Sequence, residues 1–318
     1  MNSYTSDDRW ALRIRTGILE ALARSGYSVA DDTLSWGTYH LEASGIGDSA
    51  ESMRRLNEVT EVIRILQPEI VIVSDDEAFQ LMMPTYSDPE VRFVYCGVGA
   101  TAESMSSLPD NVFGVREPVP AVETLSMGRS LTGDEGRYLL IGDGSITGQI
   151  VTARAYNELA REASDGATPF LGVAGSWEEW TTLVQSRSGE VDFIIVTSYQ
   201  PLIDAQGEVV TGQAMMAWML SNVSVPVFSL SETLVIDGAV GGLVSDAYKQ
   251  GQAAGQIAAR LAQHGGVEAD SPLVGSGSRL VLNAAAARHW GLRIPALFPI
   301  AAEVYLSLPV GYGGQPDA

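Results

Sequence analysis

The sequence predicts an α/β protein built as two Rossmann-like lobes with parallel sheets joined by a three-segment hinge, and three observations lead to that class. Short runs rich in β-branched and aromatic residues alternate with helical patterns along the chain. Many of these runs end in a polar, often glycine-bearing elbow followed by helix formers, which is how a βα unit reads. Pro118 and Pro120 then interrupt the series, and a new one starts beyond them, as at a crossover between domains. The 318 residues, 46% of them apolar, suffice for two domains of ordinary size.

The elements follow in order. Trp10 to Ser25 carries Leu12, Ile14, Ile18, Leu19 and Leu22 near one helical face and ends at Gly26, although no strand precedes this helix. A long amphipathic helix over Ser49 to Leu66 leads into Ile70 to Val73, an all-apolar, β-branched run between Pro68 and Ser74-Asp75-Asp76, expected to be a strand buried on both faces. Arg92 to Cys96 is a second strand, ending in Gly97-Val98-Gly99-Ala100-Thr101, and Asn111 to Glu117 is extended. After the prolines come strands at 137–141, 170–173 and 191–196, helices after the first two, and a hairpin over Leu202 to Val210 with its tip at Asp204 to Gly207. A helix at 213–220, a strand at Val225 to Phe228 and the extended GAVGGLVSD follow. In the helix over Ala247 to Gln263, Gly251 and Gly255 share a face suited to close packing. A short strand at 280–282 and terminal helices over Ala284 to Trp290 and Pro295 to Tyr305 complete the chain, with a GYGGQPDA tail.

Composition narrows the functions. With 39 acidic against 19 basic residues the formal charge is −20, and Lys249 is the only lysine, a poor match for a phosphate backbone, so no nucleic acid partner is expected. Cys96, alone in an apolar run, reads as a core residue. No window reaches the roughly 18 apolar residues of a membrane span, and MNSYTSDDRW lacks the basic start and apolar core of a secretory signal.

The motifs point to binding. Gly142-Asp143-Gly144-Ser145-Ile146-Thr147-Gly148 sits where a dinucleotide fingerprint belongs, but its spacing is one residue too long and the next strand lacks the acidic end that holds a ribose. His40, His264 and His289 form no metal-ligand pair, and neither G-x-S-x-G nor H-E-x-x-H occurs. Asp75 and Asp76 read as a helix cap with a favourable dipole interaction before they read as an acid/base or metal pair. Trp177 and Trp180 read as packing, whereas Tyr4 and Tyr199 lie in elbows and suit stacking on a flat ligand. The elbows SYTSDD, SDDEA, CGVGAT, GDGSITG and TSYQP, with SLSE as a sixth, all follow predicted strands. They offer main-chain N–H groups, hydroxyls and a few carboxylates without catalytic machinery. No catalytic residue, metal or cofactor is expected, and a cleft closed by hinge motion is. The candidate ligand contacts are Tyr4, Asp75, Asp76, Gly97, Asp143, Ser145, Thr147 and Tyr199.

The order PEIVIVSDDEAF, RFVYCGVGA, NVFGVRE, SWEEWTTLV, VDFIIV, GAVGGLVSDAYKQGQAAGQIAARLA and LVLNAAAARHWGLRIP resembles the ABC-transporter substrate-binding proteins of the type I periplasmic fold, over nearly the whole chain. The resemblance implies lobes at residues 1–116 plus 244–282 and 117–243 plus 283–318, three crossover segments, and a periplasmic or extracellular, membrane-associated location. It also implies capture of a small molecule (an amino acid, sugar or aromatic metabolite) by a monomer, and delivery to an ABC permease. A ligand-sensing domain of a signalling system is the alternative it leaves, ahead of a nucleotide-using enzyme. Members usually carry asparagine where this chain has Gly99, which questions that contact. They also begin with a signal peptide and a first strand, whereas Met1-Asn2 stands where that strand should end, so an N-terminally clipped or misannotated form is expected.

Overall fold

The computed structural model describes all residues except 42–48, 86–88, 100–107, 134–135, 163–168, 201, 265–272, 275–276, 297 and 310–318. Ala100 and Thr101 of one elbow, and the GYGGQPDA tail, lie outside the described residues. The chain forms two compact units, Met1–Pro118 with Asp246–Gly277 and Val119–Ser245 with Ser278–Ala318, and passes from one to the other three times.

Unit 1 holds α1 (Arg9–Arg24), α2 (Ser49–Leu66), β1 (Ile70–Ser74), α3 (Asp76–Thr85), β2 (Arg92–Val98) and β3 (Val112–Arg116). Asp246–Gly277 adds a long helix, Ala247–His264, and a two-residue strand, Leu273–Val274. Its sheet runs in the order β1, β2, β3 and then Leu273–Val274, with every pairing parallel. Alternation along the strands divides the core. Val71, Val73, Phe93 and Tyr95 pack with Leu56, Val59 and Ile63 of α2 and Phe79 and Met82 of α3. Val94, Cys96 and Val115 pack on the opposite side with Ile14, Ile18 and Leu22 of α1 and with Ala254, Ile257 and Leu261. This two-sided burial is why β1 reads as a continuous apolar run. Asp8 caps α1, its carboxylate accepting from the Ala11 N–H at 2.9 Å.

The edge of β1 is covered. The Ser74 N–H donates to Met1 O at 3.0 Å, the Asn2 N–H to Tyr39 O at 2.9 Å, and the Leu41 N–H to Asn2 O at 2.8 Å, so Asn2 bridges in parallel to both Ser74 and His40. A strand was not expected before α1, yet these few residues occupy the edge position that such a strand would take.

Helix α1 and the Ala247–His264 helix pack closely because glycines face backbone. A Cβ at Gly251 would overlap the Ile14 carbonyl, one at Gly255 would lie 2.6 Å from Ile18 O, and one at Gly17 would meet Tyr248 O. The close-packing role expected of Gly251 and Gly255 thus has its partner in α1.

Unit 2 comprises α4 (Ala121–Thr132), β4 (Tyr138–Asp143), α5 (Ile146–Glu162), β5 (Phe170–Ala174), α6 (Trp177–Arg187), β6 (Phe193–Val196), β7 (Leu202–Ile203), β8 (Val209–Val210), α7 (Gly212–Asn222), β9 (Val227–Ser229), α8 (Glu232–Ile236) and β10 (Gly241–Ser245). The unit 1 helix and strand in Asp246–Gly277 are α9 and β11, and unit 2 resumes with β12 (Ser278–Asn283), α10 (Ala284–His289), α11 (Phe298–Ala301) and β13 (Ala302–Tyr305). The main sheet, β5-β4-β6-β9, is parallel, β7 and β8 form the expected hairpin, and β10-β12-β13 is a second sheet whose β10–β12 pairing is antiparallel. Leu139, Ile141, Ile194 and Val196 face Trp180, Met215 and Met219, while Tyr138, Leu140, Phe193 and Ile195 face Leu125, Leu131 and Leu159. Trp180 is fully buried, in keeping with a packing role.

The helices Ala121–Thr132 and Glu232–Ile236 were not expected, and one expected element was misjudged. Pro295 to Tyr305 was expected to be a helix, but only the single turn α11 is helical and 302–305 form β13, parallel to β12 with Leu280 opposite Ala302 and Asn283 opposite Tyr305. A free edge on β12 overrides weak local helix preference, because its unpaired backbone groups are satisfied only by a strand. Asn283 joins the pieces. Its Oδ1 accepts from the Ala285 and Ala286 N–H groups at 3.1 Å, capping α10, and its Nδ2 donates to Val235 O at 2.9 Å and Ser307 O at 2.8 Å.

Two stability measurements follow. Gly251→Ala is expected to lower the unfolding free energy by about 1–3 kcal/mol through overpacking against Ile14, outweighing a gain in helix propensity of about 1 kcal/mol, while Gly189→Ala, which meets nothing within 4 Å, stays within about 0.5 kcal/mol of wild type in urea denaturation. Asn283→Ala strands two carbonyls and a helix start, and is expected to lose at least about 2 kcal/mol in the same assay.

Candidate functional site

In open α/β sheets ligands gather beyond the carboxyl ends of the strands, where the strand order reverses direction. Each unit has one such point. In unit 1 it lies between Asn2, which reaches His40 on one side, and β1 on the other. In unit 2 it lies between β4, whose other neighbour is β5, and β6. All eight candidate residues fall on elbows at these ends, and the two units build theirs differently.

In unit 1, β1 ends at Asp75, whose φ of 75° is left-handed, a backbone state that a short polar residue tolerates better than most. Its N–H donates to Cys96 O at 3.0 Å, and the Trp10 Nε1–H donates to its Oδ1 at 2.6 Å. The side chain is 2% exposed, and Oδ2 is buried without a hydrogen-bond partner among the described residues. Burial, aggravated by Glu117, Asp76 and Asp8 and opposed by the Trp10 hydrogen bond, pushes the Asp75 carboxyl well above the usual carboxylate range. Gly97 makes this possible. It has φ 64°, and a Cβ there would stand 2.9 Å from Asp75 Oδ1. Its N–H points to Gln250 Oε1 at 3.4 Å.

The capping role expected of the aspartates belongs in part to another residue. Ser3 Oγ accepts from the Ala78 N–H at 2.9 Å in the first turn of α3, whereas Asp75 turns to Trp10. Asp76 Oδ1 accepts from the Gly99 N–H at 2.9 Å, tying the elbow after β1 to the elbow after β2. Tyr4 stands beside them, half-buried, its N–H donating to Asn2 Oδ1 at 2.8 Å and its carbonyl 3.0 Å from His40 Nδ1.

In unit 2, Asp143 ends β4 fully buried and fully used. Its Oδ1 accepts from the Ser145 N–H at 2.9 Å, and its Oδ2 accepts from Ser198 Oγ at 2.7 Å and from the Gln200 N–H at 3.0 Å, binding the β4 and β6 elbows together. Ser145 caps α5 by accepting from the Gly148 N–H at 3.0 Å. Gly148 is required for approach, since a Cβ there would overlap Asp143 O. Thr147 is partly exposed on the first turn of α5, but its Oγ1 is buried and has no hydrogen-bond partner among the described residues. Tyr199 is less available than its elbow position suggested. Its hydroxyl donates to Val210 O at 2.9 Å, its ring packs edge-to-face on Trp180 at 5.1 Å, and burial pushes its pKa above the ordinary tyrosine range.

Asp75, Asp76 and Gly97 therefore cluster in unit 1 beside Tyr4, and Asp143, Ser145 and Thr147 in unit 2, with Tyr199 anchoring the hairpin. Residues that sequence reasoning did not single out are Ser3, Gln250, Ser198 and Gln200. Ser3, Ser198 and Gln200 lay inside named elbows, but their partners are 75, 55 and 57 residues away, a distance no local pattern reports. Among the described residues no group of three or more His, Cys, Asp or Glu side chains is arranged to hold a metal ion.

No protein-family model and no curated protein sequence matches the chain. Solved structures do. An ABC domain in complex with L-Trp from Streptococcus pneumonia is similar at 20% identity over 96% of this chain and 97% of that chain, with a TM-score of 0.73. An ABC transporter solute binding protein from Bacillus halodurans with bound myo-inositol is similar at 15% identity over 91% and 96%, with a TM-score of 0.55. A dimeric Lac repressor is similar at 14% identity over 88% and 95%, with a TM-score of 0.56. The chain has the type I periplasmic-binding-protein fold of the ABC solute-binding structures it resembles.

Proposed function

We propose that this protein is a non-enzymatic solute-binding protein of an ABC uptake system, in which the elbows of each unit supply ligand contacts. One observation carries the reading: in both units a buried aspartate beside the strand-order reversal ties neighbouring elbows, Asp76 those after β1 and β2 and Asp143 those after β4 and β6, leaving main-chain and hydroxyl groups at the carboxyl ends. Asp75, Gly97 and Asp143 are assigned to shaping the elbows, Tyr199 to fixing the hairpin, and Tyr4, Asp76, Ser145 and Thr147 to the ligand. Hydroxyls and a carboxylate suit the hydroxyl or ammonium groups of a sugar or an amino acid, and Tyr4 suits an aromatic metabolite.

The relatives in structure support this assignment, since they include proteins bound to L-Trp and to myo-inositol and a periplasmic ribose ABC transporter. On this reading the protein works outside the cytoplasm as a monomer, with an ABC permease as its membrane partner. No helix among the described residues is long and apolar enough to cross a membrane. Ligand sensing is the second reading, favoured by the likeness to the Lac repressor, and a permease and ATPase gene pair beside this one discriminates for transport.

A thermal-shift screen against amino acids, sugars and aromatic metabolites tests the reading, because a solute at a hundred times its dissociation constant adds about 2.7 kcal/mol of stability. Failure of a broad panel to move the transition would count against solute binding. With a stabilising solute in hand, Thr147→Val is expected to weaken binding about 2- to 10-fold by calorimetry with unfolding unchanged, since its Oγ1 has no hydrogen-bond partner to lose. Asp143→Ala, which strands three donors, is expected to lose at least about 2 kcal/mol of stability in the ligand-free protein.

A further inference from the structure

Asp75 has a second consequence that does not depend on the solute-binding reading. A buried carboxylate needs a cation or several donors to stay ionised, and a carboxyl without them holds its proton. Asp75 has one donor, Trp10, and an Oδ2 that is buried with no partner among the described residues. The groups around it make ionisation harder. From α1 comes Asp8, from α3 Asp76, from the residue after β3 Glu117, and from β2 the buried Cys96, whose thiol burial keeps neutral. The α9 side presents the uncharged Gln250 through Gly97, and farther along α1 Arg13 lies 3.8 Å from Asp246, the residue before α9. Burial pushes the α-amino group of Met1 down to about 6, so near neutral pH it compensates little.

We propose that Asp75 is a positioning residue held as a neutral carboxylic acid, and that loss of its proton unlocks the elbow at the carboxyl end of β1. In the neutral form Oδ1 takes the Trp10 N–H and fixes α1 against the left-handed turn. Ionisation places an incompletely compensated charge beside Asp76, Asp8 and Glu117, and only movement of the elbow toward water relieves it. A group whose folded value lies above its unfolded value contributes stability that is complete below the unfolded value and is lost as pH rises through the folded one. Unit 1 is therefore sensitive to alkali at this elbow, the reverse of an ordinary paired aspartate.

The test uses the ligand-free protein. Urea unfolding of wild type across rising pH, above the ordinary carboxylate range, is expected to show the folding equilibrium constant falling by up to tenfold per pH unit, the slope of one proton. Asp75→Asn, which keeps an acceptor for Trp10 and cannot ionise, is expected to lack that component. Identical pH profiles for the two proteins would overturn the proposal. Should Asp75→Asn fail to fold, wild type decides alone with Trp10→Phe as the companion: the infrared carbonyl band of a protonated carboxylic acid should persist near neutral pH, vanish at higher pH, and shift when the Trp10 hydrogen bond is removed. Absence of the band at neutral pH, or a band blind to Trp10→Phe, would overturn it equally.

Discussion

A parallel strand buried on both faces has to leave its sheet at the carboxyl end while still satisfying its last backbone groups, and in both units a buried aspartate manages that exit. Asp143 does so by accepting three donors, and its loop is closed by that one carboxylate. Asp75 does so with a single side-chain donor and a left-handed backbone, and depends on Trp10 and on the missing Cβ of Gly97. The contrast is physical. Three donors surround the carboxyl group in one unit, while burial among acids favours the neutral form in the other.

The remainder of each unit supports these exits. Glycines at 17, 251 and 255 bring α9 against α1 and so hold Trp10 over β1 and β2. In unit 2, Gly142 and Gly148 allow the Thr152, Thr197 and Asp143 groups to close around the start of α5, where Thr152 Oγ1 and Thr197 Oγ1 lie 2.6 Å apart. The motif that resembled a nucleotide loop is better understood as this closure. Gly142 and Gly148 make room for protein atoms.

Much of the fold was legible because hydrophobic period and elbow chemistry are local. The short, largely apolar, β-branched and aromatic runs at 70–73, 92–96 and 191–196 read as buried strands and are strands, and α2 matched its amphipathic pattern end to end. Residues 302–305 were illegible for the opposite reason: they are strand only because β12 offers an edge. The site was legible at the level of elbows and not of roles. Nothing near Tyr199 in sequence announces that Val210 takes its hydroxyl, and nothing near Asp75 announces Trp10, 65 residues earlier. Which atoms remain free for a ligand is a long-range property, set by what the rest of the fold has already used.

The most direct measurement is residue-resolved mapping of backbone amide resonances as a stabilising solute is added. If the elbows are the binding surface, perturbations concentrate on Ser3 and Tyr4, Asp75 and Asp76, Gly97 to Gly99, Gly144 to Gly148 and Ser198 to Gln200, with the outer faces of α2 and α6 unchanged. Perturbations confined to those outer helices, with the elbows silent, would contradict the account.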